Sequence, residues 1–240
     1  MRSDSRQTET YIFNNHNNGT QGIAGETNLR QTGTGTVILN GANAYTGTTT
    51  VEAGTMQING SSGSGDVEIQ EEGRLEGTGT VAGDTFVQGT HAPGITDCAE
   101  FTPGVQQFSG DLTYENGSVF EWHLIGNTES GRGDNWSGVV VDGDLTIKES
   151  STFKLVFDDV DFNDSFWRED REWQVFSGGE TDLITDLFTK FDIPDDVNYD
   201  ESIGFFSTTS DGYLVWTVPE PSTTLVGVLL AAGILSRRRS

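Results

Sequence analysis

From about Gly33 onward the chain breaks into short apolar runs, each ended by Gly, Asn or Thr: Val37-Ile38-Leu39, Thr49-Thr50-Val51, Met56-Gln57-Ile58 and Val67-Glu68-Ile69. A helix that buries one face needs apolar residues recurring every three to four positions over about ten or more, so these segments read as strands of roughly three to five residues. The phrase Gly33-Thr34-Gly35-Thr36-Val37 returns as Gly77-Thr78-Gly79-Thr80-Val81, a spacing in the range of stacked-repeat architectures. Gly, at 31 residues against 5 Pro, supplies positive φ for many tight turns and argues against proline-rich disorder. A hydrophobic fraction of 33% and a mean hydropathy of -0.40 are lean for a large globular core. A solenoid asks each coil for only a few inward side chains and takes the rest of its burial from neighbouring coils.

The segment that carries this pattern best runs from Gly33 to Gln57. Its Gly41-Ala42-Asn43-Ala44-Tyr45-Thr46-Gly47 core and the Ala53-Gly54-Thr55 that follows resemble the autotransporter-associated β-strand repeat. The resemblance implies a mainly β chain folded as a right-handed parallel β-helix of the passenger type. Gly77 to Gly94 resembles the trailing coils of that family. No segment after the repeat reads as the amphipathic strands of an outer-membrane barrel. The chain then divides into an irregular region at 1–32, repeat coils at 33–94, a continued β-rich solenoid with an acidic loop at 95–217, and a tail at 218–240.

Beyond Gly94 the strands lengthen. Phe120, Trp122 and Leu124 alternate with Glu121 and His123, and Phe153, Leu155 and Phe157 with Lys154 and Val156, so His123 is expected to point outward. Leu183, Ile184, Leu187, Phe188 and Phe191 share one face of a helical turn expected near Asp182 to Phe191.

The tail has three parts in order: Pro219-Glu220-Pro221, an uncharged apolar run at 225–235, and Arg237-Arg238-Arg239. It resembles a PEP-CTERM sorting signal. The apolar run is expected to form a short hydrophobic helix that anchors in the inner membrane, with the arginines halting on the cytoplasmic side. It is shorter than the roughly 17 to 25 residues of a spanning helix, a mismatch that snorkelling and local thinning can absorb, whereas a buried C-terminal helix would leave three arginines unexplained. The resemblance implies export, an exosortase-type processing enzyme as partner, and association with cell surface or exopolysaccharide. Met1 to Asn18 lacks the apolar run of a signal peptide, so the export signal is expected to lie upstream.

A net charge of -24 and a pI of about 4.1 exclude nucleic acid as a partner, because binding a phosphate backbone needs clustered Lys and Arg. Cys98 is the sole cysteine, and His16, His91 and His123 are scattered, which disfavours disulfides and His- or Cys-based metal sites.

The alternating oxygens of Asp159, Asp161 and Asn163, with Asp170 at the closing position, form a weak Ca²⁺ candidate. Asp164 stands where such a loop needs Gly, and a solvated acidic loop is the preferred reading. Glu71-Glu72 are expected on opposite faces of a strand and so unable to act as an acid/base pair. Arg132-Gly133-Asp134 matches an adhesion tripeptide by chance composition. Trp136, expected to be exposed, and Trp167 and Trp173 are considered for stacking on sugars. No catalytic residue emerges, and the chain is expected to be a non-enzymatic surface or matrix protein without a cofactor. The alternative is a carbohydrate-active or carbohydrate-binding β-helix.

Overall fold

The computed structural model describes residues 10–13, 22–178 and 188–220. Among them the chain is strand and turn, with one 3-10 turn at Ser165–Arg168 as its helical element. Most strand pairs are parallel, and they pair in register into three stacks that the chain visits in turn. The first stack runs through Leu29–Gln31, the first halves of Thr49–Ile58 and Val67–Gly77, then Thr85–Val87, Leu112–Tyr114 and Leu145–Ile147. The second runs through Thr10–Phe13, Thr36–Leu39, the second halves of the same two long strands, Thr90–Asp97, Val119–Ile125, Thr152–Asp158 and Lys190–Asp192. The third joins Ala42, Ser61 and Thr80 by bridges and continues through Val105–Phe108, Gly138–Val141 and Phe176–Ser177. This is a three-faced parallel β-solenoid.

First-stack strands read inward, outward, inward, as in Val67, Glu68 and Ile69 or Thr85, Phe86 and Val87, where the central residue is exposed. The inward residues change character along the axis. Second-stack positions in register run Val37, Met56, Leu75, His91, Phe120 and Phe153, from aliphatic through one histidine to aromatic. Coils lengthen in the same direction. Neighbours such as Asn40 and Asn59 lie 19 residues apart in the early coils, and Glu121 and Lys154 lie 33 apart in the late ones.

Among the described residues the added length leaves at the corner between the second and third stacks. First comes an antiparallel hairpin, Thr90–Asp97 with Glu100–Pro103; then the loop 126–137; then the loop 159–175 with its 3-10 turn. These insertions pack on one another. Trp173 Nε1 donates to Thr128 O at 2.7 Å, Trp122 Nε1 to Ser137 O at 2.9 Å, and Trp167 Nε1 to Asn127 Oδ1 at 3.0 Å. A three-stranded antiparallel sheet, Arg171–Gln174, Tyr213–Thr217 and Phe205–Thr208, adds Trp216 and Phe206 to that aromatic cluster. Each large side chain so buried contributes about 2–3 kcal/mol, which the lean early coils lack.

Several expectations change here. The returning phrase is not in register: Thr36 pairs with Thr55 in the second stack, whereas Thr80 pairs with Ser61 in the third. The two copies fill different corners that share a need for Gly and an inward Val. The helical turn expected near Asp182 to Phe191 has residues 182–187 outside the described region, and its end forms the strand Lys190–Asp192, because Phe191 lies in register with Phe153. The tail's apolar run, Pro221 and the three arginines also lie outside the described residues, while Pro219 and Glu220 follow the last strand as irregular chain.

Candidate functional site

The residues singled out from the sequence are mostly taken up by the scaffold. Asp161 sits in an exposed turn where Oδ1 accepts from Asn163 N at 3.0 Å and from Asn198 Nδ2 at 2.8 Å, contacts that hold its pKa below the ordinary value. Asp170 Oδ1 accepts from Val218 N at 2.8 Å, and Asp159 occupies a left-handed turn at φ 54°. Among the described residues no three acidic, His or Cys side chains gather as a metal-ligand group.

Arg132 is turned inward, donating to Val139 O at 2.9 Å and to Ser177 Oγ at 3.0 Å, so the tripeptide pins a corner of the coil and does not present its guanidinium. Trp136 is 4% exposed and Trp167 and Trp173 are buried, so none offers a ring face to solvent. The insertions that follow each long coil cover them. Glu71 and Glu72 both face outward, because the strand bends there and its register shifts against Val51 and Ala53.

His123 does leave the coil's interior, but it is buried. The first inserted hairpin folds over the outer side of the second stack and lays Phe101 on the imidazole, with ring centroids 3.8 Å apart. Beneath the hairpin lies a charged cluster that sequence reading missed. Arg74 bridges Glu76 at 2.6 Å and Glu121 at 2.7 Å; Lys154 and His123 reach Glu121 at 3.0 and 3.1 Å; Thr96 Oγ1 donates to Glu76 at 2.9 Å. Burial opposes charge on Glu121, yet the bonds from His123 and Arg74 outweigh it and hold the carboxyl far below the usual range. Burial likewise opposes charge on Arg74, and Glu121 and Glu76 raise its pKa regardless. The hollow here, about 350 Å³, is thus neutralised from within.

A second missed feature is a repeated Gly-Asp step at the corner leading into the first stack: Gly65-Asp66, Gly83-Asp84, Gly110-Asp111 and Gly143-Asp144. Asp84 Oδ1 accepts from Asp111 N at 3.0 Å, and Asp111 Oδ1 from Asp144 N at 2.8 Å. The glycines stack where a Cβ at Gly83 would lie 2.2 Å from Gly65 O. The recurrence was visible in the sequence as a dipeptide preceding each inward residue.

One complete coil of the early solenoid runs from Leu29 around to its partner Thr49 and on to Ile58. Residues 29–58 match the passenger-associated-transport-repeat model. The match therefore spans one whole turn and its return to the second stack. Over 67 residues, 27% of this chain, the sequence is 42% identical to the adhesin BmaC autotransporter of Brucella suis biovar 1 (strain 1330). The chain spans about 2% of the length of that protein.

A further hollow, about 340 Å³, opens on the outer side of the first stack around Phe86, with Glu68, Ile69, Gln70, Gln88 and Glu115. Phe86 is 38% exposed.

Proposed function

We propose that this chain belongs to an exported, surface-displayed protein in which the solenoid is a non-catalytic spacer and the C-terminal segment is an address. The observation that carries this is the passenger-type repeat at 29–58, which forms a full coil of a parallel stack continued by the coils after it. Passenger-type repeats belong with secreted, displayed segments, and the similarity to an autotransporter adhesin points the same way. The handedness in this reading is right-handed, as parallel crossovers within one sheet nearly always are.

The address is the PEP-CTERM-type order Pro219-Glu220-Pro221, apolar 225–235 and Arg237-Arg238-Arg239, which an exosortase-type enzyme would process after inner-membrane retention. The body would then lie at the cell surface or among exopolysaccharide.

The body ends later than the strand pattern suggests. Thr217 pairs with Phe205 and Val218 N is held by Asp170, so the body reaches at least Val218 and a cut that spares it lies beyond that residue. Removing Pro221 to Ser240 is expected to leave thermal unfolding within about 1 °C of the full chain, because the pairings that build and close the three stacks are made among residues up to Val218. With a signal peptide supplied, in a host with a matching sorting enzyme, the full chain should be retained in the envelope and the truncated chain released to the medium. Equal release of both overturns the sorting reading.

A further inference from the structure

We propose that the outer side of the first stack, centred on Phe86, binds a neutral, linear saccharide chain. The proposal stands apart from the sorting reading, and its test in purified protein does not depend on it.

Phe86 is an aromatic ring left open on a side of the solenoid that no insertion among the described residues covers, in contrast to the indoles at 136, 167 and 173. Around it Glu68, Gln70, Gln88 and Glu115 line one shallow hollow. Among the described residues, no hydrogen bond or ion pair engages these four side chains, although Arg30 and Glu52, further along the same side, are paired. A pyranose presents C–H groups on its faces and hydroxyls around its rim. A flat ring ringed by amides, which both donate and accept, and by carboxylates, which accept, matches that pattern.

The surroundings extend the fit along a line. Outward positions in register run Thr50, Glu68, Phe86, Thr113 and Thr146, one per rung at about 4.8 Å. A linear chain laid along this row meets a polar side chain on either side of the stacking ring.

Charge narrows the occupant. Glu68 and Glu115, in a chain of net charge -24, repel a polyanionic polymer. A second copy of this chain would bring the same two carboxylates against their equivalents around one small ring.

The test is affinity electrophoresis of the full chain through native gels holding β-glucan, galactomannan or dextran, with polygalacturonate as the anionic control. At least one neutral polymer should retard the protein while polygalacturonate does not. Phe86→Ala should weaken that retardation about tenfold, Phe86→Trp should preserve or strengthen it, and melting of both variants should match the parent, since the ring is outside the core. Gln70→Ala with Gln88→Ala should weaken it as well. Retardation by none of the neutral polymers, or retardation unaffected by Phe86→Ala, overturns the proposal.

Discussion

His91 replaces an aliphatic side chain at the point in the second stack where the core turns aromatic. Its Nδ1 meets Tyr114 Oη at 2.6 Å and its Nε2 meets Gln106 Oε1 at 2.9 Å, so one imidazole ties together all three stacks. Burial, with the positive Arg74 nearby, holds its pKa down to about 3 despite the bond to Gln106. An unfolded histidine takes its proton near pH 6.5, and the folded one resists until about 3. The stability due to the neutral ring is complete above pH 6.5 and is lost as pH falls towards 3, by up to about 1.4 kcal/mol per unit. Urea midpoints should therefore decline from pH 6.5 to 4.5, a range above the titration of most carboxylates, and His91→Gln should flatten that decline. An unchanged slope would show the ring accessible to protons. Glycine supplies a second test at this scale. Gly83→Ala puts a Cβ against backbone that cannot move aside and should cost about 2–4 kcal/mol, whereas Gly117→Ala, at φ +87° in open space, should cost about 1 kcal/mol. Such residue roles were not legible in the sequence. Nothing local distinguishes the glycine that touches the coil below from one that merely turns, and the pairing of Tyr114 with His91 exists only once the coils are stacked.

At the level of elements, the Gly-Asp corner carries its own conflict. Asp84 and Asp111 each accept the backbone N–H of the aspartate one rung on, yet Asp66, Asp84, Asp111 and Asp144 bring like charges into one exposed column at rung spacing. Asn keeps the acceptor and loses the charge. Asp84→Asn with Asp111→Asn should raise the melting temperature by about 1–3 °C at low ionic strength, with the gain shrinking in about 0.5 M salt, where charges a rung apart are largely screened. A fall in melting temperature would mean that the charged form of the bond outweighs the repulsion. The charged cluster beneath the hairpin behaves in the opposite sense. Arg74→Met leaves Glu76 and Glu121 buried without their shared cation and should cost about 2–3 kcal/mol, and Phe101→Ala should then expose His123 further. The strands themselves were legible, because inward and outward residues alternate and turns are punctuated by Gly. The coverings were not. Alternation places His123 outside the coil correctly, but only the hairpin, whose two arms are brought together by a turn at Cys98 and Ala99, decides that outside is still buried.

For the whole molecule, the five tryptophans all lie at or beyond position 122, whereas the apolar core of the early coils is Val, Leu, Ile and Met with one buried aromatic, Tyr45. In a solenoid each coil depends chiefly on its neighbours, so regions of different burial can part company. Urea unfolding followed by circular dichroism should begin at lower denaturant than the same transition followed by tryptophan fluorescence. Coincident curves would mark the solenoid as one cooperative unit. Short strands stacked as a solenoid were readable from composition and turn spacing, while the parallel β-helix was what the resemblance to the passenger-type repeat implied. What could not be read was the growth of the coils: it depends on insertions whose sequences look like unrelated loops until Asn127, Thr128 and Ser137 are seen receiving the indoles of later or neighbouring turns. That growth also gives the rod a mechanical direction. Tension applied between its ends is shared equally by every coil, but resistance is not, and rupture is governed by the weakest rung. The slender aliphatic turns near the repeat would peel first and pay out chain as a shock absorber, while the broad aromatic turns hold.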